Sequence, residues 1–434
     1  MKHIVFILFC TFPILAISQS DTLFITKEEV LSKIASNNTI KISEQEVLVA
    51  RGDFNQTNAI FLPKITASHN AISTTNPLMA FGSKLNQEIL TASDFNPAFL
   101  NNPSRIDNYS TKIEIVQPIL NLDGIYQRKA AKQIVSALEL QSENATNKIS
   151  LEVEKTYMQL QLAYKMISVL ELTKKTVDEN KRLVKNLYKQ GMVQKTDILE
   201  MDIRSTEIEN QLQYAKSIIL NTSNYLSVLL NENIAKLIKP LDSLQINPMK
   251  EFPGFIPKSR ADILAMDFSI KAYTAMNKAD KMSFLPRLNA FGSYQLYDNS
   301  LFQGNANGYI IGVDLSWDIL DGYKRFGKTQ KSKALLEKAK IQYDEYITQS
   351  QLELNKVIRH FQDIKNKLVL TDLAVIQSKE ALRIRTNRFK QGLEKTNDLL
   401  ASESLYAQKQ LEYYQTVFEY NFAQAYIQYL TKEE

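Results

Sequence analysis

Asn307-Gly308-Tyr309-Ile310-Ile311-Gly312-Val313-Asp314-Leu315-Ser316-Trp317-Asp318-Ile319 puts Tyr309, Ile311, Val313, Leu315, Trp317 and Ile319 on alternate positions, against Gly312, Asp314, Ser316 and Asp318. Side chains on a strand point to opposite faces in turn, so this alternation predicts a strand with one apolar and one wet face. Tyr109 to Ile119 repeats the pattern more weakly, with Ile113, Ile115 and Ile119 against Ser110, Lys112 and Glu114. Phe61 to Ser73 and Phe284 to Tyr297 complete four expected strands.

Outward from these strands the chain is written twice. Phe61-Leu62-Pro63-Lys64-Ile65 returns as Phe284-Leu285-Pro286-Arg287-Leu288, and Ile119-Leu120-Asn121-Leu122-Asp123-Gly124 returns as Ile319-Leu320-Asp321-Gly322. Tyr188-Lys189-Gln190-Gly191-Met192 returns as Phe389-Lys390-Gln391-Gly392-Leu393, and each Gly is followed six positions later by Asp197 or Asp398. About twenty residues fewer separate the second set of motifs. The deficit falls after Phe-Leu-Pro, as expected of a loop of variable length.

Between the motifs the period changes. Leu354, Val357, Phe361, Ile364 and Leu368, like Val153, Tyr157, Leu160, Tyr164 and Ile167, step by three and four, the seam of a coiled coil. From Gly124 to Gly191 and from Gly322 to Gly392, a continuous helix would be roughly 100 Å long. Residues 27–60, 192–231, 260–283 and 393–431 supply shorter helical partners. The expected organisation is residues 1–18 as a signal peptide, then a first repeat over 19–230 with strands near 61–75 and 108–120 and a tip near 191. Residues 231–260, with Pro240, Pro248, Pro253 and Pro257, read as a connector. A second repeat over 261–434 has strands near 284–298 and 307–320 and a tip near 392.

Composition narrows the function. The 434 residues include 3 His and a single Cys, too few for most metal or nucleophile chemistry. Lys2 and His3, the apolar run Ile4 to Leu15 and the small-x-small Ala16-Ile17-Ser18 predict an export signal cleaved after Ser18. Phe9 before Cys10 argues against lipidation at that cysteine. The charges alternate in sign around a net +5, which reads as solvated faces and gives no nucleic-acid patch. No run after the signal is apolar enough for a transmembrane helix.

Four half-apolar strands cannot close a membrane barrel alone, because single-chain barrels begin at about eight. An open exported sheet would aggregate through its edges. A barrel shared between identical chains, polar side to the lumen, satisfies both constraints. Tyr309 and Trp317 would then face lipid, roughly 26 Å apart along the strand, near the height of the apolar band. A soluble sandwich is the alternative, but no predicted element remains to cover the apolar face.

The duplicated strand pairs and long coiled helices, with Leu-Pro before strands, Asp-Gly at strand-to-helix turns and Gly-x5-Asp at the tips, resemble the TolC-like outer-membrane efflux proteins. Arg260-Ala261-Asp262-Ile263 fits as well, as do Phe81-Gly82-Ser83-Lys84-Leu85-Asn86-Gln87, Asp94-Phe95-Asn96 and Leu100-Asn101-Asn102-Pro103. The resemblance covers essentially the whole mature chain. It implies a mainly α protomer with a small β part, a homotrimer, a shared twelve-stranded barrel and an α-helical coiled-coil barrel reaching through the periplasm. It also implies that the tips dock a periplasmic membrane-fusion adaptor protein below an inner-membrane transporter, whose class (RND, ABC or MFS) stays open, as does the cargo.

In such a trimer Asp197 and Asp398 would ring one narrow opening with carboxylates, a cation-selecting gate. The plainer reading is a cap or dipole partner at a helix start. Tyr188 and Phe389 match the family's aromatic position, where packing is the alternative role. The family's best-known pattern has an acidic residue where Ala401 stands and a gating Arg where Glu394 stands, so a charge-linked closed gate would need Lys395 or Lys195 instead. Adaptor docking is expected at Gln190, Gly191, Met192 and Val193 and at Gln391, Gly392, Leu393 and Glu394, where glycine lets another backbone approach; simple turn chemistry is again the alternative.

Gly322-Tyr323-Lys324-Arg325-Phe326-Gly327-Lys328-Thr329 satisfies a phosphate-loop pattern. The preceding strand alternates where a buried parallel strand would be continuously apolar, and the first copy lacks the motif. No cofactor, no metal and no catalytic activity are expected, since His69 and His360 have no evident partners. The expected function is the exit duct of a tripartite efflux or type I secretion system; a periplasmic coiled-coil adaptor or stalk without a pore is the rival.

Overall fold

A computed structural model describes residues 22–234 and 236–433; the predicted signal segment lies outside the described residues. In chain order the elements are β1 (Thr22–Ile25), α1 (Lys27–Ser32), α2 (Asn38–Gln56), β2 (Lys64–Thr74), α3 (Pro77–Asn86), α4 (Pro97–Asn101) and β3 (Ile106–Leu120). They continue with α5 (Leu122–Lys189), α6 (Lys195–Leu229), β4 (Leu237–Pro240), α7 (Ala261–Met282), β5 (Arg287–Asp298), β6 (Ala306–Ser316), α8 (Lys324–Lys390) and α9 (Thr396–Leu430). The two long helices are uninterrupted over 68 and 67 residues, and α6 and α9 are 35 residues each. Neither long helix contains a proline, and the few glycines lie in their first turns, which is why nothing breaks them.

The chain divides into two compact units. One comprises residues 43–143 and 258–349 and holds an antiparallel sheet in the order β2-β3-β5-β6. Its register assigns the faces. Ala67, Ile113, Tyr294 and Tyr309 form one cross-strand row, and Ile65, Ile115, Gly292 and Ile311 form another on the same side. The rows between them are Ser68, Lys112, Gln295 and Gly308, and Thr66, Glu114, Ser293 and Ile310. The alternation seen in the sequence thus becomes one apolar face and one largely polar face, with Lys112 paired to Glu114 at 2.7 Å on the polar side. Glycine at 312 admits the Phe291 ring, which lies 2.8 Å from where a Cβ would stand. β2 and β6 are the edges.

The same unit holds α7, which starts at a buried fork. Arg260 donates to both carboxylate oxygens of Asp262 at 2.6 and 2.9 Å, and Tyr346 donates to Asp262. Burial, and then the carboxylate beside it, push the Tyr346 hydroxyl up to about 12. The phosphate-loop pattern dissolves here. Gly327, Lys328 and Thr329 are inside α8, and Lys328 pairs with Asp280 at 3.0 Å, so no loop of free amides exists to cradle a phosphate.

The other unit comprises residues up to 42, 144–257 and 350–433. Its core joins Ile25 and Val30 to Val153, Tyr157 and Leu160 of α5, Leu226 of α6 and Ile238. The connector is more ordered than its prolines suggest: Leu237–Pro240 is a strand, β4, paired in parallel with β1. Tyr157 ties this layer together, donating to the Ile25 carbonyl at 3.0 Å and lying 3.2 Å from Asp242. Ser223 accepts from the Ile238 amide at 2.7 Å.

Candidate functional site

The two helical hairpins α5–α6 and α8–α9 turn with the same backbone chemistry. Gly191 has φ +72° and Gly392 φ +73°, the left-handed region where a Cβ is strained. Met192 N–H reaches back to the Leu187 carbonyl at 3.0 Å, and Leu393 N–H to the Arg388 carbonyl at 3.0 Å. Each is a six-to-one bond that closes a helix C-terminus, with glycine at the residue just past the end. Space does not require either glycine. A Cβ at 191 meets nothing within 4 Å, and one at 392 would stand 3.6 Å from Met192 Cε, in ordinary contact.

Behind the turns an apolar cluster of Val184, Met201, Phe389 and Leu399 gathers residues from all four helices, with Leu187, Val193 and Ile198 packed against it. Phe389 is 2% exposed while its counterpart Tyr188 is 43% exposed. The structure therefore places Phe389 in the core of the tip and leaves the Tyr188 ring at its surface. Val193 turns inward, whereas Met192, Gln190, Gln391 and Leu393 are exposed.

The carboxylates differ in the same way. Asp197 is the third residue of α6 and accepts the Gln194 backbone N–H at 2.8 Å, so it caps the helix. Asp398 occupies the third position of α9, is half exposed, and lies 3.8 Å from Arg385. Glu394 is held between two guanidinium groups, with Arg385 and Arg388 each at 2.8 Å. Lys395 is the exposed residue before α9. The cation nearest Asp398 is thus Arg385 of the preceding helix.

Sequence reasoning missed one pair behind the tip. Arg204 of α6 and Glu403 of α9 meet in a two-pronged contact at 2.9 and 3.3 Å, with the Glu403 side chain 3% exposed. Burial pushes the Glu403 carboxyl up, and Arg204 pulls against that shift. The residues are 199 positions apart, so spacing alone carried no sign of their meeting.

At the sheet, Tyr309 is 75% and Trp317 58% exposed. Trp317 follows the end of β6 and donates its indole N–H to the Phe284 carbonyl at 3.0 Å. His69 lies on the apolar-face side of β2, bonded to Thr111 at 2.9 Å and stacked on Phe302. His360 is exposed on α8. Among the described residues no three His, Cys, Asp or Glu side chains gather as a metal site.

A sheet with one apolar and one polar face, carried by a chain whose longest helices end in matched glycine turns, defines a channel subunit of the outer membrane. The sequence profile of the outer membrane efflux protein family matches residues 32–232 and 256–428, and the chain belongs to that family. No curated protein matches it in sequence. Among solved structures it resembles a membrane protein from Pseudomonas aeruginosa (TM-score 0.82, 15% identity, 95% of each chain covered). VceC, an outer membrane protein of Vibrio cholerae, is similar at TM-score 0.79 and 17% identity over 94% of this chain and 97% of that one. The CmeC outer membrane channel of Campylobacter jejuni gives TM-score 0.79 and 17% identity over 96% and 90%. At such identities the likeness is one of fold. The protein is an outer-membrane efflux channel with a helical extension in the periplasm, and nothing favours the adaptor or stalk reading.

Proposed function

We propose that three copies of the chain form the passive exit duct of a tripartite efflux or type I secretion assembly. Each copy contributes four strands to one barrel in the outer-membrane lipid, with an adaptor protein at the tips and an inner-membrane transporter beneath. The observation that carries the reading is the row pattern of the sheet: an apolar face, a polar face and two edges that neighbouring copies would pair. Tyr309 and Trp317 are the lipid-facing aromatics of this barrel.

The gate is assigned to Asp398 and Asp197, with Tyr188 at the surface of the tip, Phe389 packing it from within and Lys395 beside the turn. Asp398 keeps an exposed charge, whereas Asp197 spends a carboxylate oxygen on the α6 cap, so Asp398 is the stronger determinant of cation preference. Adaptor docking is assigned to Gln190–Val193 and Gln391–Glu394. Single-channel recordings in planar bilayers test the gate: Asp398→Asn reduces cation preference, Asp197→Asn reduces it less, and unchanged selectivity in the double variant overturns the assignment. Bulky residues at Gly191 and Gly392 should abolish transport while trimers persist; normal transport would remove docking from these turns.

A further inference from the structure

The segment between β2 and β3 is a small structure of its own at the end of the sheet away from the helices. Asn76 and Asn96 cap α3 and α4, each followed by proline at the first helical position. Lys84 pairs with Asp94 at 2.7 Å, and Phe81 meets Phe95 edge-on at 5.7 Å. Lys84, with the Thr91 backbone and hydroxyl, holds the Asp94 carboxyl down at about 2, so this link persists at any physiological pH. The segment forms an open pocket of about 480 Å³ lined by Phe81, Phe99 and Leu100 together with Lys84, Asp94 and Asn102.

Its seat on the sheet is specific. Ala80 and Ser83, on one face of α3, and its C-cap residue Gln87 are buried, and α3 packs on β3. Gln87 Nε2 donates to the Asn108 side chain at 2.8 Å and to the Asp107 carbonyl at 3.0 Å. Asn108 shares its parity with Ser110, Lys112 and Glu114, the polar face of the sheet, and Asn108 and Ser110 are both buried. So α3 lies over the polar side. Its opposite face carries Leu78, 81% exposed, and Leu85, directed away from the sheet.

We infer that the β2–β3 segment, residues 75–105, folds into the lumen and narrows the outer mouth of the channel as an apolar sieve. This rests on the proposed barrel with its polar face inward. Three copies would then direct Leu78 and Leu85 across the opening, where each is covered by the same segment of its neighbours. The charges of the segment, Lys84, Glu88, Asp94 and Arg105, balance. The mouth therefore discriminates by size and polarity, while the carboxylates of the tip discriminate by charge.

The sole cysteine is Cys10 in the predicted signal, so single-cysteine variants of the full chain are clean probes on whole cells. Ser68→Cys reports the polar face below the segment and Ala67→Cys the apolar face. A small cationic thiol reagent added outside should label Ser68→Cys and spare Ala67→Cys. A maleimide carrying a long polyethylene glycol chain should label Ser68→Cys slowly. Replacing residues 77–101 by a short Gly-Ser linker, or unfastening α3 with Gln87→Ala, should raise that rate several-fold while small-reagent labelling stays the same. Equal polymer labelling with the segment intact and with it deleted or unfastened would overturn the sieve. Small-reagent labelling of Ala67→Cys in place of Ser68→Cys would overturn the barrel reading, and the sieve with it.

Discussion

The two hairpin tips share a backbone and differ in what holds it. At corresponding positions the first tip has Val184, Leu187 and Val193, an apolar staple that packs on the cluster behind it. The second has Arg385, Arg388 and Glu394, an ionic clamp across the same turn. The aromatic partners are likewise divided, Phe389 buried and Tyr188 exposed. A duplicated motif preserves the turn, where glycine and the six-to-one bond leave little choice. It frees the flanking positions to become a packed side in one copy and a charged side in the other. The clamp across the second turn is exposed to screening by salt, and the apolar staple across the first is not.

The largest expected contrast is between the aromatics. Phe389→Ala should cost about 4 kcal/mol in denaturant unfolding of the detergent-solubilised protein, since it empties the tip cluster. Tyr188→Ala should cost less than about 1 kcal/mol, as a half-exposed ring loses little. Equal losses would break the division. Next comes the buried pair: Glu403→Ala leaves Arg204 with Glu207 as its remaining partner and should cost about 3 kcal/mol.

The sign of its pH effect follows from burial. A carboxyl whose folded pKa lies above its ordinary 4.5 binds more protons folded than unfolded in that window. The contribution of Glu403 to stability therefore falls as pH rises above 4.5 and levels off beyond the raised value. Comparing thermal unfolding across this range in the parent and in Glu403→Gln should show that component of the slope vanish in the variant. A slope unchanged by the substitution would remove Glu403 as its source.

Smaller effects sharpen the clamp against the staple. Glu394→Gln should cost about 1.5 kcal/mol at low salt and less in molar salt, because exposed guanidinium partners are screened. Val193→Ala should cost about 1 kcal/mol at either salt. Smallest, Asp197→Asn should lose about 0.5 kcal/mol of helix capping, and Asp398→Asn no more than about 0.5 kcal/mol of helix-dipole stabilisation in the first turn of α9.

Much of this was legible in the chain. Period-two runs marked the four strands, seams stepping by three and four marked the long helices, and repeated Gly-x5-Asp marked both turns. What stayed hidden depended on distance. β1 and β4 are four residues each and find one another across more than two hundred positions, too short to show a period. Arg204 and Glu403 are 199 positions apart, and Arg385 reaches Glu394 only because the turn folds back. The caps of α3 and α4 were readable as Asn-Pro pairs, Asn76-Pro77 and Asn96-Pro97, inside a stretch whose variable length suggested a plain loop.

The pairing of β3 with β5 sets Tyr109 opposite Asp298, so the centre of the sheet is made from the two halves of the chain. Contacts this remote in sequence form late, since a long loop must close before they reward it. A ribosome or translocon that has delivered only the first half has delivered one hairpin, β2 with β3, which is marginal by itself. Completion of the sheet must wait for delivery of β6, which ends at Ser316. Covalent sequence thus sets an order: the hairpin of the first half is available long before the strands that complete the sheet.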